Sequence, residues 1–224
     1  MQDEARRIAE ERPVVISAAA GGESVCLDGL YRAGASPAAG AVLIAPPHPL
    51  YGGSMESPVV TELAFAAARA GLASLRFDWR GVGASGGAPS GEALDHDADY
   101  AAALAHLADT CPGPLCAAGY SAGAAAAARV AARAPRVTSL LLVAPPPAMI
   151  GAGALEAFRG RILLVAGEND RIAPPAALRD LAERAGAAHF ECIAEADHFF
   201  GAGLADLGRT AAHWLEASGA ESSE

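Results

Sequence analysis

Ser121 sits in Gly119-Tyr120-Ser121-Ala122-Gly123, where the apolar run L-C-A-A-G-Y (115 to 120) gives way to an alanine-rich stretch. A serine framed as G-x-S-x-G between a strand and a helix is a candidate nucleophile for acyl transfer. The sharp turn forces its backbone into an uncommon conformation and draws together the residues two before and two after it, where a Cβ would clash. It also presents the hydroxyl at a helix N-terminus, where free amide hydrogens favour developing negative charge. A serine hydroxyl is a weak nucleophile at neutral pH, so a base must take its proton and a carboxylate must orient that base. Asp170 in G-E-N-D-R-I-A-P and His198 in E-A-D-H-F-F follow two later apolar runs and are the expected acid and base. Glu168 and Asp197 are the competing acids; Asp197 adjoins His198, and a sequence neighbour usually points away from the imidazole. His96, His106 and His213 fall within predicted helices and His189 starts a strand, so all four read as surface or structural. The bland alternative is that Ser121 only caps a helix in a chain with 25 glycines. The strand-turn-helix setting argues against it.

These three residues can meet only if one sheet edge carries them. V-V-I-S-A-A-A and S-V-C-L-D-G-L-Y-R, separated by Gly21-Gly22-Glu23, read as an antiparallel hairpin. Apolar runs then alternate with helical stretches. Strands are predicted at 41 to 45, 73 to 78, 115 to 120, 139 to 144, 161 to 166 and 189 to 194. Helices are predicted at about 57 to 70, 91 to 108, 122 to 134, 176 to 185 and 204 to 215. Strands apolar along their whole length and joined by helices make a parallel sheet covered on both faces. Ligands bind beyond the carboxyl ends of such strands, which singles out the loops 46 to 55, 79 to 90, 120 to 123, 145 to 159, 167 to 175 and 195 to 203. The sequence divides into a charged tail (1–13), one α/β domain (14–216) and a disordered Ser/Glu tail (217–224).

Composition narrows the class. With 224 residues, 52% hydrophobic and 19% charged, and a mean hydropathy of +0.24, the chain can bury one sizeable core. No apolar run reaches the roughly 18 residues of a spanning helix, so no membrane partner is expected. A net charge of -10 and scattered Lys and Arg leave no basic stripe for nucleic acid. The charged N-terminal stretch lacks the pattern of a secretory signal, so the expected location is cytoplasmic. Cys26, Cys111, Cys116 and Cys192 show no metal or redox spacing and read as buried free thiols. Asp95-His96-Asp97-x-Asp99 reads as an acidic helix start rather than a metal site. No metal and no cofactor is expected, and a homodimer is compatible with the sequence without being specified by it.

With these residues in hand the chain resembles a small α/β-hydrolase over about residues 14 to 216, with a mostly parallel central sheet of about eight strands, helices on both faces and a minimal lid. P-P-H-P-L-Y-G-G-S-M (46 to 55) and L-R-F-D-W-R-G-V-G-A-S (75 to 85) resemble a group of compact lidless bacterial hydrolases, described mostly only as esterases, that carry H-P-H-P-L-Y-G-G-S-M and F-R-G-V-G-x-S there. Pro46 replaces the first histidine of that pattern. The resemblance implies that loop 46 to 55 completes an oxyanion hole with two backbone N–H groups aimed at the transition-state oxygen. One is expected from Ala122. Pro46, Pro47 and Pro49 have no N–H to offer, so the other is expected from Leu50 or Tyr51, with His48 bracing the loop. The motif D-W-R-G-V-G-A-S lacks the lysine of a phosphate loop and reads as a structural turn held by Asp78 or Arg80.

The stretch from Ala144 to Gly160 is too short for a cap domain. The expected site is therefore open and bordered by Leu50, Tyr51, His48, Met55, Met149, Ile150, Phe158, Phe199 and Phe200, a set suited to a small or medium acyl chain. The reading is a serine hydrolase cleaving an ester or thioester. Acyl transfer to another acceptor, a tailoring step on a specialised metabolite, and a non-catalytic binding protein with the same fold are the alternatives.

Overall fold

The computed structural model describes residues 10–20, 23–36, 38–151, 153–186 and 188–220. Eight strands form one sheet in the order β1-β2-β4-β3-β5-β6-β7-β8. β1 (Arg12–Ala20) and β2 (Glu23–Arg32) pair antiparallel as the expected hairpin, with Ile16 opposite Leu27, and β2 pairs antiparallel with β4 (Ala73–Phe77). The remaining contacts are parallel, through β3 (Ala41–Ala45), β5 (Leu115–Tyr120), β6 (Val137–Val143), β7 (Arg161–Gly167) and β8 (Ala188–Ile193).

The unbroken apolar strands follow from cover on both faces, because successive side chains point to opposite sides of a pleat. Leu43 of β3 and Leu140 and Leu142 of β6 enter one layer with Phe77, Tyr100 and Leu104. Val42, Ile44 and Leu141 enter the other with Val59, Leu63, Leu207 and Leu215. The first layer lies under α2 (Ala93–Thr110) and α3 (Ala122–Ala131), the second under α1 (Pro58–Arg69) and the last helix (Leu204–Ala220). Alanine at 124 to 128, wholly buried, lets α3 press close to the sheet.

The boundaries differ from those expected. Strand β1 begins at Arg12, and Glu11, placed in the charged tail by its composition, holds Arg76 with two bonds (Nη2–Oε2 2.6 Å, Nε–Oε1 3.0 Å). Arg76 is buried in the sheet and needs that carboxylate, so the domain starts earlier than 14. The last helix continues to Ala220, beyond 216. All four cysteines are free, but only Cys111 and Cys116 are buried; Cys26 and Cys192 are exposed, which corrects the expectation of four buried thiols. Among the described residues no helix is long and apolar enough to cross a membrane.

Between β6 and β7 the chain makes two single turns, α4 (Pro147–Ile150) and α5 (Ala154–Ala157), which pack down onto the core through Ile150 and Leu155. They form no lid. The eleven-residue helix α6 (Pro175–Ala185) follows the Asp170 loop, and the last helix is α7.

Candidate active site

Strand β5 ends at Tyr120, and Ser121 then takes φ 55 and ψ -118, a region that side chains rarely occupy and that costs of the order of 1–3 kcal/mol. Surrounding contacts hold it there. The Ser121 N–H donates to Val143 O (2.8 Å) and its carbonyl opens helix α3 by accepting from Ala125 N (3.1 Å). Both flanking glycines are required by close approach: a Cβ on Gly119 would lie 2.4 Å from the Gly123 carbonyl carbon, and one on Gly123 would lie 2.5 Å from the Ala45 and Pro46 oxygens.

The loops after β7 and β8 are joined to each other, which brings an acid and an imidazole together from 28 residues apart. Asn169 N donates to Ala196 O (2.8 Å), Glu168 N to Ile193 O (2.9 Å), and Glu195 N to Glu168 Oε2 (2.9 Å). Gly167 lies so close that a Cβ there would meet Ala196 O at 2.5 Å. Asp170 Oδ1 accepts from Ile172 N (2.8 Å) and Ala173 N (2.7 Å), leaving Oδ2 for His198 Nδ1 at 2.7 Å. His198 Nε2 is 3.1 Å from Ser121 Oγ. All three side chains are buried. Facing a carboxylate, Nδ1 carries the proton, so Nε2 is the acceptor for the serine O–H.

The rival acids are occupied elsewhere. Glu168 holds the Glu195 amide, and Asp197 Oδ1 accepts from Phe199 N (3.0 Å). Tyr120, the second residue of the pentapeptide, had no role assigned from sequence. Its hydroxyl donates to His198 O (2.8 Å) and fixes the backbone of the imidazole. Burial first, then the charges of Asp170 and Asp197, push its phenol well above the ordinary value of 10, so it stays protonated and keeps donating. A tyrosine next to a serine carries no sequence signal for this task.

Loop 46 to 55 revises the expected second oxyanion donor. Pro49–Tyr51 form a 3-10 turn in which Leu50 N donates to His48 Nδ1 (3.2 Å) and Tyr51 N to His48 O (3.1 Å). The turn consumes both amides proposed as oxyanion donors, and their side chains are exposed. His48 N and Ala122 N have no acceptor among the described residues. The loop rests on the first turn of α3, since Pro46 O abuts Gly123. The free amide of His48 was legible in principle, as the only N–H between Pro46 and Pro49.

The expected border is also revised. Ile150 and Phe158 are buried in the core layer beneath α4 and α5, with the Phe158 ring against Gly160 near the amino end of β6. Phe200 is buried beside Tyr120 (ring centroids 6.4 Å). Met55 is buried and tied through its backbone, its N–H to Asp78 Oδ1 (2.7 Å) and its carbonyl to Arg76 (2.7 Å). Met149 is half-buried against the same core as Ile150, its carbonyl held by Arg129. Leu50, Tyr51 and Phe199 remain exposed, Phe199 edge-on to His198 at 5.6 Å. A cavity of about 560 Å³ lies elsewhere, between α2 and α3 at the amino ends of β5 and β6, where no chemistry-bearing loop reaches.

The turn after β4 is structural. Asp78 holds loop 46 to 55 through Met55, and Arg80 is bound by Asp99 (Nη2–Oδ1 2.8 Å) and Asp95 (Nη1–Oδ1 2.6 Å). Asp97 pairs with Arg129. The acids of the helix start thus serve arginines.

His96 is buried, donates from Nε2 to Ser90 O (2.9 Å), and has no partner at Nδ1 among the described residues. Burial holds its pKa below the ordinary 6.5. Between that lowered value and 6.5 the unfolded chain binds more protons than the folded one, so stability falls as pH drops through this window. His48, lowered first by burial and then by His96, adds to the same slope. The melting temperature is expected to fall from pH about 7.5 to about 5.5, with a shallower slope in His96→Phe. Equal slopes in the two proteins would remove His96 as its source.

The strand order, the reversed β2 and the strained serine turn are those of the α/β-hydrolase superfamily, and the chain belongs to it. It is a hydrolase by fold and by its relatives. The model of the serine aminopeptidase family (S33) matches residues 48–150. Among solved structures, the chain is 26% identical to an α/β hydrolase of unknown function from Agrobacterium tumefaciens (TM-score 0.83, 92% of this chain and 96% of that one). It is 25% identical to a lidless α/β serine hydrolase from Xanthomonas campestris (TM-score 0.80, 93% and 95%). An uncharacterized Rickettsia prowazekii protein is 29% identical over 190 residues, covering 78% of this chain and 77% of that protein.

Proposed function

We propose that the protein is a serine hydrolase that cleaves small or medium acyl esters through Ser121, His198 and Asp170. The observation that carries this reading is the series Ser121 Oγ, His198 Nε2 and Nδ1, Asp170 Oδ2, with spacings of 3.1 and 2.7 Å. Ser121 Oγ attacks the substrate carbonyl carbon while its proton passes to Nε2. Asp170 stabilises the imidazolium, and the amides of Ala122 and His48 receive the tetrahedral oxyanion. Collapse expels the leaving group with the proton from Nε2, and a water deprotonated by the same nitrogen releases the acid. The exposed thiols of Cys26 and Cys192, both unpaired, support a reducing, cytoplasmic location as part of the same proposal.

The lip of the site disfavours anionic substrates. Glu92, Glu168, Glu195 and Asp197 are exposed on the surrounding loops, against Arg171. A polyanionic leaving group meets repulsion there that salt screens. Butyryl-coenzyme A is expected to show a kcat/KM about tenfold or more below that of the neutral butyryl-N-acetylcysteamine at low ionic strength, with the gap narrowing as salt rises. Equal values at all salt concentrations contradict this.

The aminopeptidase family match supports a second reading, cleavage of an N-terminal amide, in which the same carboxylates would receive a substrate ammonium. The deciding experiment is a screen of p-nitrophenyl esters of graded chain length beside amino-acid p-nitroanilides. Turnover of the short esters supports the esterase; turnover of anilides alone supports the peptidase. No turnover of either by folded protein leaves the acyltransferase or the binding protein.

A further inference from the structure

Behind loop 46 to 50 lies a ring that the chemistry above does not use. Strand β3 loses its ladder at Ala45, which is the last residue paired with β5. Pro46 and Pro47 then follow without an N–H to anchor them. Their two carbonyls converge on one donor: Trp79 Nε1 lies 3.2 Å from Pro46 O and 2.9 Å from Pro47 O, so a single indole hydrogen is shared between them.

Trp79 is itself held in place. It is wholly buried, edge-on to Phe77 at 5.0 Å and stacked on His96 with centroids 4.9 Å and planes 29° apart. The His96 ring in turn meets the His48 ring edge-on at 5.3 Å. His96 is fixed by its bond to Ser90 O and accepts the cost of an unpartnered buried Nδ1.

The geometry of one peptide unit links this ring to the site. Pro47 C=O and His48 N–H belong to the same planar trans peptide and point in opposite directions. Whatever holds the Pro47 oxygen therefore sets the direction of the His48 N–H. We propose that Trp79, backed by His96, is a positioning residue: its indole N–H clamps the Pro46 and Pro47 carbonyls and thereby aims the His48 amide at the oxyanion. The inference rests on the serine-hydrolase reading and assigns it a part that no other donor on the loop supplies.

The test is Trp79→Phe, which keeps an aromatic ring and removes the donor. With p-nitrophenyl butyrate, kcat is expected to fall about tenfold or more while KM stays within about twofold, because the clamp acts on a contact made in the transition state. Affinity for a trifluoromethyl ketone analogue should fall by the same factor. A fluorophosphonate should still add once per chain at Ser121, showing an intact fold and nucleophile. Should the phenylalanine variant unfold, benzothienylalanine at position 79 retains the bicyclic shape with sulfur in place of the N–H, and the same losses are expected. Wild-type kcat and analogue affinity in a folded variant, or a rise in KM alone, overturns the proposal. If the wild type hydrolyses no ester and takes no label, the serine-hydrolase reading fails and this inference fails with it. If the wild type is active and position 79 is indifferent, only this inference fails.

Discussion

Ser121→Ala is expected to lower kcat/KM for p-nitrophenyl butyrate by about 10⁴-fold or more, the loss typical of removing the nucleophile from a serine–histidine–aspartate set. The fold should be unaffected. Alanine keeps the Cβ and hence the strain at φ 55, and the lost Oγ touches only His198 Nε2. Ser121→Gly should be as inactive, yet more stable by about 1 kcal/mol, since glycine occupies that backbone region without penalty. The pair separates chemistry from stability: equal melting temperatures would mean that the turn is not strained, and residual turnover near wild type would mean that another group attacks. Such strain is what a fold tolerates where a reacting atom must stand clear of its own backbone.

Asp170→Asn should cost about 10⁴-fold in kcat for a different reason. Oδ1 is committed to the amides of Ile172 and Ala173, so an asparagine must keep its oxygen there and turn its NH₂ toward His198. That NH₂ donates to Nδ1, which forces the imidazole proton onto Nε2, where it faces Ser121 Oγ and can no longer accept the serine proton. The variant should fold normally and show its defect in kcat at every pH. A loss below about tenfold would mean that Asp170 only shapes its loop.

Much of this arrangement was legible from residue pattern because the fold leaves it little choice. Strands buried on both faces must be apolar throughout, which marked β3, β5 and β7 nearly residue for residue. The two glycines around Ser121 announce an approach in which a Cβ has no room, and Asp170 and His198 follow strands whose carboxyl ends must share an edge. What escaped sequence reading depends on where a side chain or an amide points. Ile150, Phe158 and Phe200 are apolar residues in segments that follow strand carboxyl ends in sequence, and nothing in their order says that they turn into the core. Leu50 and Tyr51 have amides, but a 3-10 turn closed by His48 uses them. The tail boundary at 13 failed because Glu11 looked like solvent-facing charge while its partner, Arg76, lay buried 65 residues away. Trp79 escaped for the same reason: two successive prolines past a strand end leave carbonyls without saying whether water or an indole N–H from a neighbouring element holds them.

The account depends on a hydroxyl, an imidazole and a carboxylate acting in series, and active-site labelling addresses that directly. The folded wild-type protein is treated with a fluorophosphonate, weighed intact and mapped by peptide. One adduct per chain on Ser121, forming at least about 100-fold more slowly in His198→Ala, is the predicted result. No adduct on folded protein, an adduct on another residue, or an equal rate without His198 would contradict it.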